Sequence, residues 1–405
     1  MSTMQISASV KSASYYAIEG WAWCPDNPSA IPHVSLISQS GEILATQLAN
    51  RNVSSDDKSS QKKESNGFVF YGLLDNVAGL KAFFEDKVIE IPVLIEKPHL
   101  TGILEGCGFF LIHPDDYLFR FNLNKLKIED CVHSYIGGGK GIAQNLKNTV
   151  SEYMHHKEKP FDLLDFASGY GRVTAFLDPS VFNITASDIH QEAMTFIENR
   201  VKNCNTILSK TNPQDFIISD TFDVIFAFSF FSHLPHSTFG DWISTLYGML
   251  RPNGLLIFTT HGKAAKYESD VLVDESGFGY YPLSEQEDLN SADYGISISE
   301  LPYVINTVRK HTLQYPVLFQ ESSPFTGGGQ DLYIVRKGDL NLSLDDTGSD
   351  DLFIENETFS KEEVMRMILP LKKALQEQEA AFYSSTSWKL TRPLRAVKHW
   401  LTSQI

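Results

Sequence analysis

The segment Leu163-Leu164-Asp165-Phe166-Ala167-Ser168-Gly169-Tyr170-Gly171-Arg172-Val173-Thr174 constrains the fold of this chain more than any other stretch. An apolar run gives way to two glycines one residue apart, and then to residues compatible with a helix. The spacing predicts a buried strand, a tight glycine turn and the start of a helix, a unit whose backbone amides can approach a ligand closely. One strand-plus-helix later, Asn183 to Ser187 reads as a second strand ending in Asp188. A carboxylate there can accept hydrogen bonds from both hydroxyls of a ribose. Turn and carboxylate together point to a nucleoside-containing ligand.

The residues around this unit continue the pattern. Strands are expected at 162–166, 183–187, 206–209, 222–228 and 254–260, alternating with helical patterns, which is the signature of a parallel sheet with helices on both faces. Two further strands, Thr312 to Phe319 and Asp331 to Arg336, are joined by the loop Gln320 to Gln330. That loop is too short for a crossover helix, so the last two strands must pair antiparallel. The expected fold class is α/β, a Rossmann-like sheet with an antiparallel final hairpin over residues 156–338.

Residues 1–96 read as a small all-β sandwich. Alternating segments (Tyr15 to Trp23, His33 to Ser38, Glu42 to Leu48, Gly67 to Leu73, Lys87 to Leu94) are separated by turn clusters such as Pro25-Asp26-Asn27-Pro28. Ser54 to Asn66 reads as an exposed polar loop. Residues 97–155 connect the two parts and hold Tyr135-Ile136-Gly137-Gly138-Gly139-Lys140-Gly141 ahead of a helical pattern from Ile142 to His155. This is not a phosphate loop, because the Gly-Lys-Ser/Thr ending is missing. It reads either as a flexible joint or as a lid over a bound cofactor with Tyr135 touching it. Residues 339–360 form an acidic linker, since 338–360 carry seven acidic and no basic residues. A capping-box pattern at Ser360-Lys361-Glu362-Glu363 then opens a C-terminal helical tail over 361–405.

Composition removes several function classes. A chain of 405 residues exceeds one ordinary core. A net charge of -16 argues against a nucleic-acid partner, since phosphate binding needs concentrated Lys and Arg. No signal pattern opens the chain and no run of about 18 apolar residues occurs. Cys24, Cys107, Cys131 and Cys204 are scattered, so neither a zinc site nor a disulfide framework is indicated. The expectation is a metal-independent protein in a reducing, cytoplasmic setting.

Asp165-Phe166-Ala167-Ser168-Gly169-Tyr170-Gly171-Arg172 resembles motif I of the class I S-adenosylmethionine-dependent methyltransferases, and Asp188 matches the acidic residue ending their second strand. Phe222 to Ser229, followed by Ser232-His233-Leu234-Pro235, resembles their fourth strand and its loop. Leu250-Arg251-Pro252-Asn253-Gly254-Leu255-Leu256-Ile257-Phe258-Thr259 resembles the turn and fifth strand. The final hairpin is also like theirs. The resemblance implies S-adenosylmethionine as cofactor. It places the aminocarboxypropyl end against Ala167, Ser168, Gly169 and Gly171, with Asp165 receiving the ammonium. Asp188 would meet the ribose, Ser209 and Lys210 the adenine, and Phe228 and Ser229 the sulfonium, with Ile189 a further cofactor contact. The family's frequent aspartate is missing beside Ser209. A nicotinamide dehydrogenase shares the first two features, but its third glycine is replaced here by Thr174.

Methyl transfer to a hydroxyl needs a base near neutral pH. His233 and His261 follow the fourth and fifth strands and are the catalytic candidates, each with a plain structural role as the alternative. Asp241 and Tyr280 are weaker candidates. The insert carrying Phe278, Tyr280, Tyr281 and Tyr294 could form an acceptor wall or simply pack on the sheet. Gly20-Trp21-Ala22-Trp23-Cys24-Pro25-Asp26 resembles an N-terminal module of bacterial glycan-related enzymes. Trp388-Lys389-Leu390-Thr391-Arg392-Pro393-Leu394-Arg395 resembles a C-terminal motif of bacterial surface-polysaccharide enzymes. These likenesses imply a saccharide or lipid-linked glycan as methyl acceptor, with the basic tail either lying on the inner membrane face or docking a protein. The reading from a different class is a non-catalytic scaffold that keeps the cofactor fold.

Overall fold

The computed structural model describes residues 5–338 except 28, 53–65, 156, 267–270, 284, 285 and 287. The expected linker and C-terminal helices, and nearly all of the expected polar loop at 54–66, lie outside the described residues. The chain divides into two compact units. Among the described residues, one is drawn from 5–160, 167–209 and 286, the other from 161–166, 210–283 and 288–338.

The first unit opens with β1 (Ser7–Ala13), β2 (Ala17–Trp23), β3 (His33–Ser38), β4 (Ile43–Leu48), β5 (Gly67–Leu73), β6 (Val77–Phe84), β7 (Lys87–Pro92) and β8 (Phe110–Ile112). They form two four-stranded antiparallel sheets, ordered β1-β2-β5-β8 and β4-β3-β6-β7. Alternation drives this arrangement. In β2 the residues Ile18, Gly20 and Ala22 are buried while their neighbours are half-buried. Ile18 and Phe68 of the first sheet share one apolar cluster with Leu36 and Leu80 of the second. Strands β1, β6 and β8 were not anticipated. Through β8, the segment after residue 96 contributes a strand to the first sheet.

Two helices follow, α1 (Tyr117–Leu123) and α2 (Ile128–Tyr153). Asp116 caps α1, its carboxylate accepting from the Phe119 amide. Helix α2 overturns the expected joint or lid, because Gly137, Gly138 and Gly139 lie inside one continuous helix of 26 residues. The reason is close approach. A Cβ on Gly139 would sit 2.2 Å from the Arg172 carbonyl oxygen, and one on Gly138 would sit 2.9 Å from an Arg172 guanidinium nitrogen. The glycines lower helix propensity by about 1 kcal/mol each, but they let the helix lie directly on the residues after the glycine turn. The first unit also contains β10 (Phe182–Asp188), α3 (Gln191–Arg200) and β11 (Cys204–Leu208), with β10 and β11 parallel.

The second unit contributes β9 (Phe161–Phe166), β12 (Phe222–Ala227), α4 (His236–Gly248) and β13 (Leu250–Thr260). Strand β12 pairs parallel with both β9 and β13. All six β12 residues are buried, as expected of a strand covered on both faces. After α5 (Lys263–Lys266), β14 (Phe278–Tyr281) and β15 (Ile296–Ser299) form a separate antiparallel pair. Helix α6 (Leu301–Thr312) leads to β16 (Pro316–Gln320) and β17 (Asp331–Arg336). The last two strands pair antiparallel, as expected. Within the second unit the strands run in the order β9-β12-β13-β17-β16, parallel up to β13 and antiparallel beyond it, a Rossmann-like α/β arrangement.

Two local expectations are corrected. The strand expected from Thr312 begins at Pro316, because Thr312 ends α6, whose last turn carries Arg309, Lys310 and His311 facing the negative end of the helix dipole. The glycine turn is not followed by a helix. It runs into a single 3-10 turn, Thr174–Phe176, so no helix dipole acts there.

Candidate functional site

In the first unit the site is built around the glycine turn and the end of β10. Ala167, Gly169 and Gly171 all have left-handed backbone, with φ of 58°, 55° and 78°. A non-glycine residue held there carries strain of about 1–2 kcal/mol. The turn is tied to β10 by the Ser168 amide donating to the Ser187 carbonyl at 3.0 Å. Asp188 is 7% exposed. Its carboxylate accepts from the Gly169 amide at 2.8 Å, the His190 amide at 3.1 Å and His190 Nδ1 at 2.8 Å. A carboxylate has about four lone-pair positions, so it can still accept from a ligand.

The two glycines differ in surroundings. A Cβ on Gly171 would meet Ile197 Cγ1 at 2.9 Å, whereas a Cβ on Gly169 would meet nothing within 4 Å. Gly169 therefore borders open space, which a bound group can fill, and the donor and acceptor set around it suits an adenosyl ligand. Ser209 is buried beside Asp188, its amide donating to the Asp188 carbonyl at 2.8 Å. Ile189 is half-buried and Lys210 exposed.

Several residues that sequence reasoning passed over support this turn. His113, just past β8, stacks on Tyr170 with ring centroids 4.3 Å apart and planes at 8°. Its Nδ1 accepts from the Asp115 amide, and Asp115 is gripped by both terminal nitrogens of Arg51. Burial pushes the His113 imidazole down to about 4, so it stacks as a neutral ring. Tyr135, which the sequence placed against the cofactor on a lid, instead lies within α2, is buried at 3% exposure and donates to Asp116 at 2.6 Å. Burial raises both groups, and Arg172 beside them partly opposes it. No local pattern announces these contacts, since the partners lie 19 to 64 residues apart in sequence. The one available signal was His113-Pro114-Asp115-Asp116, a polar cluster directly before a helix.

In the second unit a separate group lies at the carboxyl ends of β12 and β13. Ser229 has left-handed backbone, φ 57°, and its amide donates to Thr259 Oγ1 at 2.8 Å. Gln330 organises the group. Its Oε1 accepts from Thr259 Oγ1 at 2.6 Å, and its Nε2 lies 2.8 Å from Ser229 Oγ and 3.3 Å from His261 Nε2. His233 Nδ1 donates to the Gly295 carbonyl at 2.7 Å, and its ring stacks on Tyr294 at 4.7 Å. The His233 and His261 rings meet edge-on at 5.8 Å. Burial pushes the His261 imidazole down to about 4, His233 adds to the shift, and the Ser297 backbone opposes it. Gln330 lay in the expected hairpin loop and was not singled out.

The remaining candidates are spread out. Asp165 is buried at the end of β9, and Phe228 is half-buried beside Ser229. Tyr280 donates to the Ser291 carbonyl within the insert, and the Phe278 ring packs on Tyr303 at 4.6 Å. Asp241 lies on α4 and acts on His311 of α6. Among the described residues, no group of three His, Cys, Asp or Glu is placed to hold a metal ion, and no helix is long and apolar enough to cross a membrane.

Comparison with known proteins finds that residues 140–289 match a family described as "Methyltransferase domain". No curated protein matches the chain. Among solved structures, the chain is similar to Burkholderia thailandensis 1,6-didemethyltoxoflavin-N1-methyltransferase with bound 1,6-didemethyltoxoflavin and S-adenosylhomocysteine. Identity is 16%, coverage is 64% of this chain and 96% of that one, and the TM-score is 0.37. It is similar to an S-adenosylmethionine-dependent methyltransferase from Clostridium acetobutylicum at 15% identity, covering 49% of this chain and 92% of that one, with TM-score 0.38. It is also similar to the N-methyltransferase NodS from Bradyrhizobium japonicum in complex with S-adenosylhomocysteine, at 13% identity, 49% and 88% coverage, and TM-score 0.34.

Proposed function

We propose that this chain is an S-adenosylmethionine-dependent methyltransferase. The observation that carries the reading is the open space beside Gly169, bordered by a left-handed turn and the Asp188 carboxylate. The match of residues 140–289 to the methyltransferase domain family supports it. S-adenosylmethionine, when bound, supplies an electrophilic methyl group on sulfur. Asp188 accepts from one ribose hydroxyl at the lone-pair position its three protein donors leave open, and Ala167 to Gly171 receive the aminocarboxypropyl end along bare backbone. Asp165, Ile189, Ser209, Lys210, Phe228 and Ser229 remain assigned to the cofactor as the sequence implied.

On the acceptor side, the two histidines take different roles. A carbonyl only accepts, so the bond to Gly295 fixes the proton of neutral His233 on Nδ1 and puts its basic lone pair on Nε2. His261, near 4, is neutral at physiological pH and a poor proton acceptor. His233 is therefore the base that receives an acceptor proton. His261 is a neutral neighbour held by Gln330. The likenesses at Trp21 and Trp388 support a saccharide hydroxyl as acceptor.

Titration calorimetry of the intact chain with S-adenosylhomocysteine tests the reading. Binding that falls at least tenfold in Asp188→Ala supports it, and no binding to the wild-type chain removes it. His233→Gln should then slow transfer to a hydroxyl acceptor without weakening cofactor binding.

A further inference from the structure

A second cavity lies far from the glycine turn in sequence, among the two N-terminal sheets. Its volume is about 340 Å³, and Tyr15, Gln39, Asp75, Asn76, Val77 and Lys97 contribute to its lining. Four features describe what it can hold. Asp75 and Lys97 pair at 2.8 Å, so their charges cancel and an ionic ligand would have to break the bridge. Gln39 and Asn76 are exposed at the rim, and each carboxamide offers both a donor pair and an acceptor. The Asn76 carbonyl accepts from the Gln39 amide at 3.2 Å, which fixes the two sides of the rim.

The fourth feature is Tyr15. It is 4% exposed, and its hydroxyl is enclosed without a protein partner. The large majority of buried polar side-chain atoms in folded proteins are hydrogen-bonded, so this hydroxyl is a donor available to a group held in the cavity. Burial, with Asp75 adding, pushes this phenol up to about 12, so it remains a donor throughout the physiological range.

We propose that this cavity binds one ring of a neutral polyhydroxylated ligand, a saccharide unit. Electrically balanced walls, two carboxamides, a spare phenol and an apolar Val77 suit a molecule with hydroxyls on its edges and C–H groups on its faces. The volume is at the small end of the roughly 300–1,000 Å³ of ligand pockets, which fits a single ring. The site uses none of the residues assigned to methyl transfer and stands without that reading.

Saturation-transfer NMR on the full chain tests it, with methyl glucoside, methyl galactoside, methyl rhamnoside and N-acetylglucosamine as probes and glycine as a zwitterionic comparison. At least one sugar should show transfer that falls fivefold or more in Tyr15→Phe and in the double variant Asp75→Asn, Lys97→Met. Tyr15→Phe should melt no lower than wild type, because it removes only an unpaired buried hydroxyl. Transfer to none of the four sugars, transfer to glycine alone, or equal transfer in the variants overturns the proposal. S-adenosylhomocysteine binding, measured on the same samples, stays at the wild-type value in these variants. A failure at the cavity is thereby distinguished from a failure of the methyltransferase reading.

Discussion

Gly169→Ala separates the folding role of the turn from its ligand role. In the folded protein the new methyl would touch nothing within 4 Å, so no steric term opposes folding. The backbone at φ 55° costs an L-residue about 1–2 kcal/mol. A stiffer unfolded chain returns about 0.4–1 kcal/mol. The net folding cost is therefore about 1 kcal/mol, a small fall in Tm. If the adenosyl ligand fills the space beside Gly169, the same methyl intrudes on it. Overpacking of a filled site costs about 1–3 kcal/mol, equivalent to roughly 5- to 150-fold in affinity. The assay is calorimetry with S-adenosylhomocysteine beside thermal melting. Gly171→Ala is the contrast, because its Cβ lies 2.9 Å from Ile197 Cγ1 and should lower Tm more than Gly169→Ala does. Wild-type affinity in a folded Gly169→Ala would refute the placement of the ligand.

Four further outcomes follow from the same geometry. Asp188→Asn turns one acceptor into a donor opposite the Gly169 amide or His190, costing about 1–3 kcal/mol of stability by chemical denaturation and about 100-fold in S-adenosylhomocysteine affinity. Asp331, 3% exposed, is raised by burial to about 6 from 3.8, so its stability contribution is full below pH 4 and lost as pH rises through about 6. Asp331→Asn should therefore be more stable than wild type at pH 7, by up to about 3 kcal/mol, with the difference vanishing below pH 4 in denaturation curves. His261 is depressed from 6.5 to about 4, so its contribution is present above pH 6.5 and lost as pH falls through 4; His261→Gln should flatten that acid limb. Gly139→Ala drives a methyl toward the Arg172 carbonyl and should lower Tm through a cost of about 1–3 kcal/mol.

The parallel strands were legible because they are short apolar runs bounded by turn residues, and the burial of all six β12 residues matches that pattern. The antiparallel hairpin followed from loop length alone. Helix α6 was missed although Pro302 near its start and three basic residues in its last turn announced it; the apolar run beyond Thr312 drew the strand boundary too early. The glycines of α2 misled for a physical reason. Their local propensity favours a joint, but the contact that needs them, Arg172, lies more than 30 residues away in sequence and leaves no local trace. The same holds for the site. Gly169 and Asp188 announce themselves by spacing, whereas Gln330 and His113 gain their roles only through tertiary contacts.

His113 has an implication for any attempt to shorten this protein. Its ring braces the tyrosine of the glycine turn, and Arg51 anchors the adjoining Asp115. A trimmed version starting at residue 97 would shed that anchor and leave β8 without its neighbour β5. Arg51 and β5 thus brace the glycine turn from a distance, and amputating them should loosen it even with every motif residue intact.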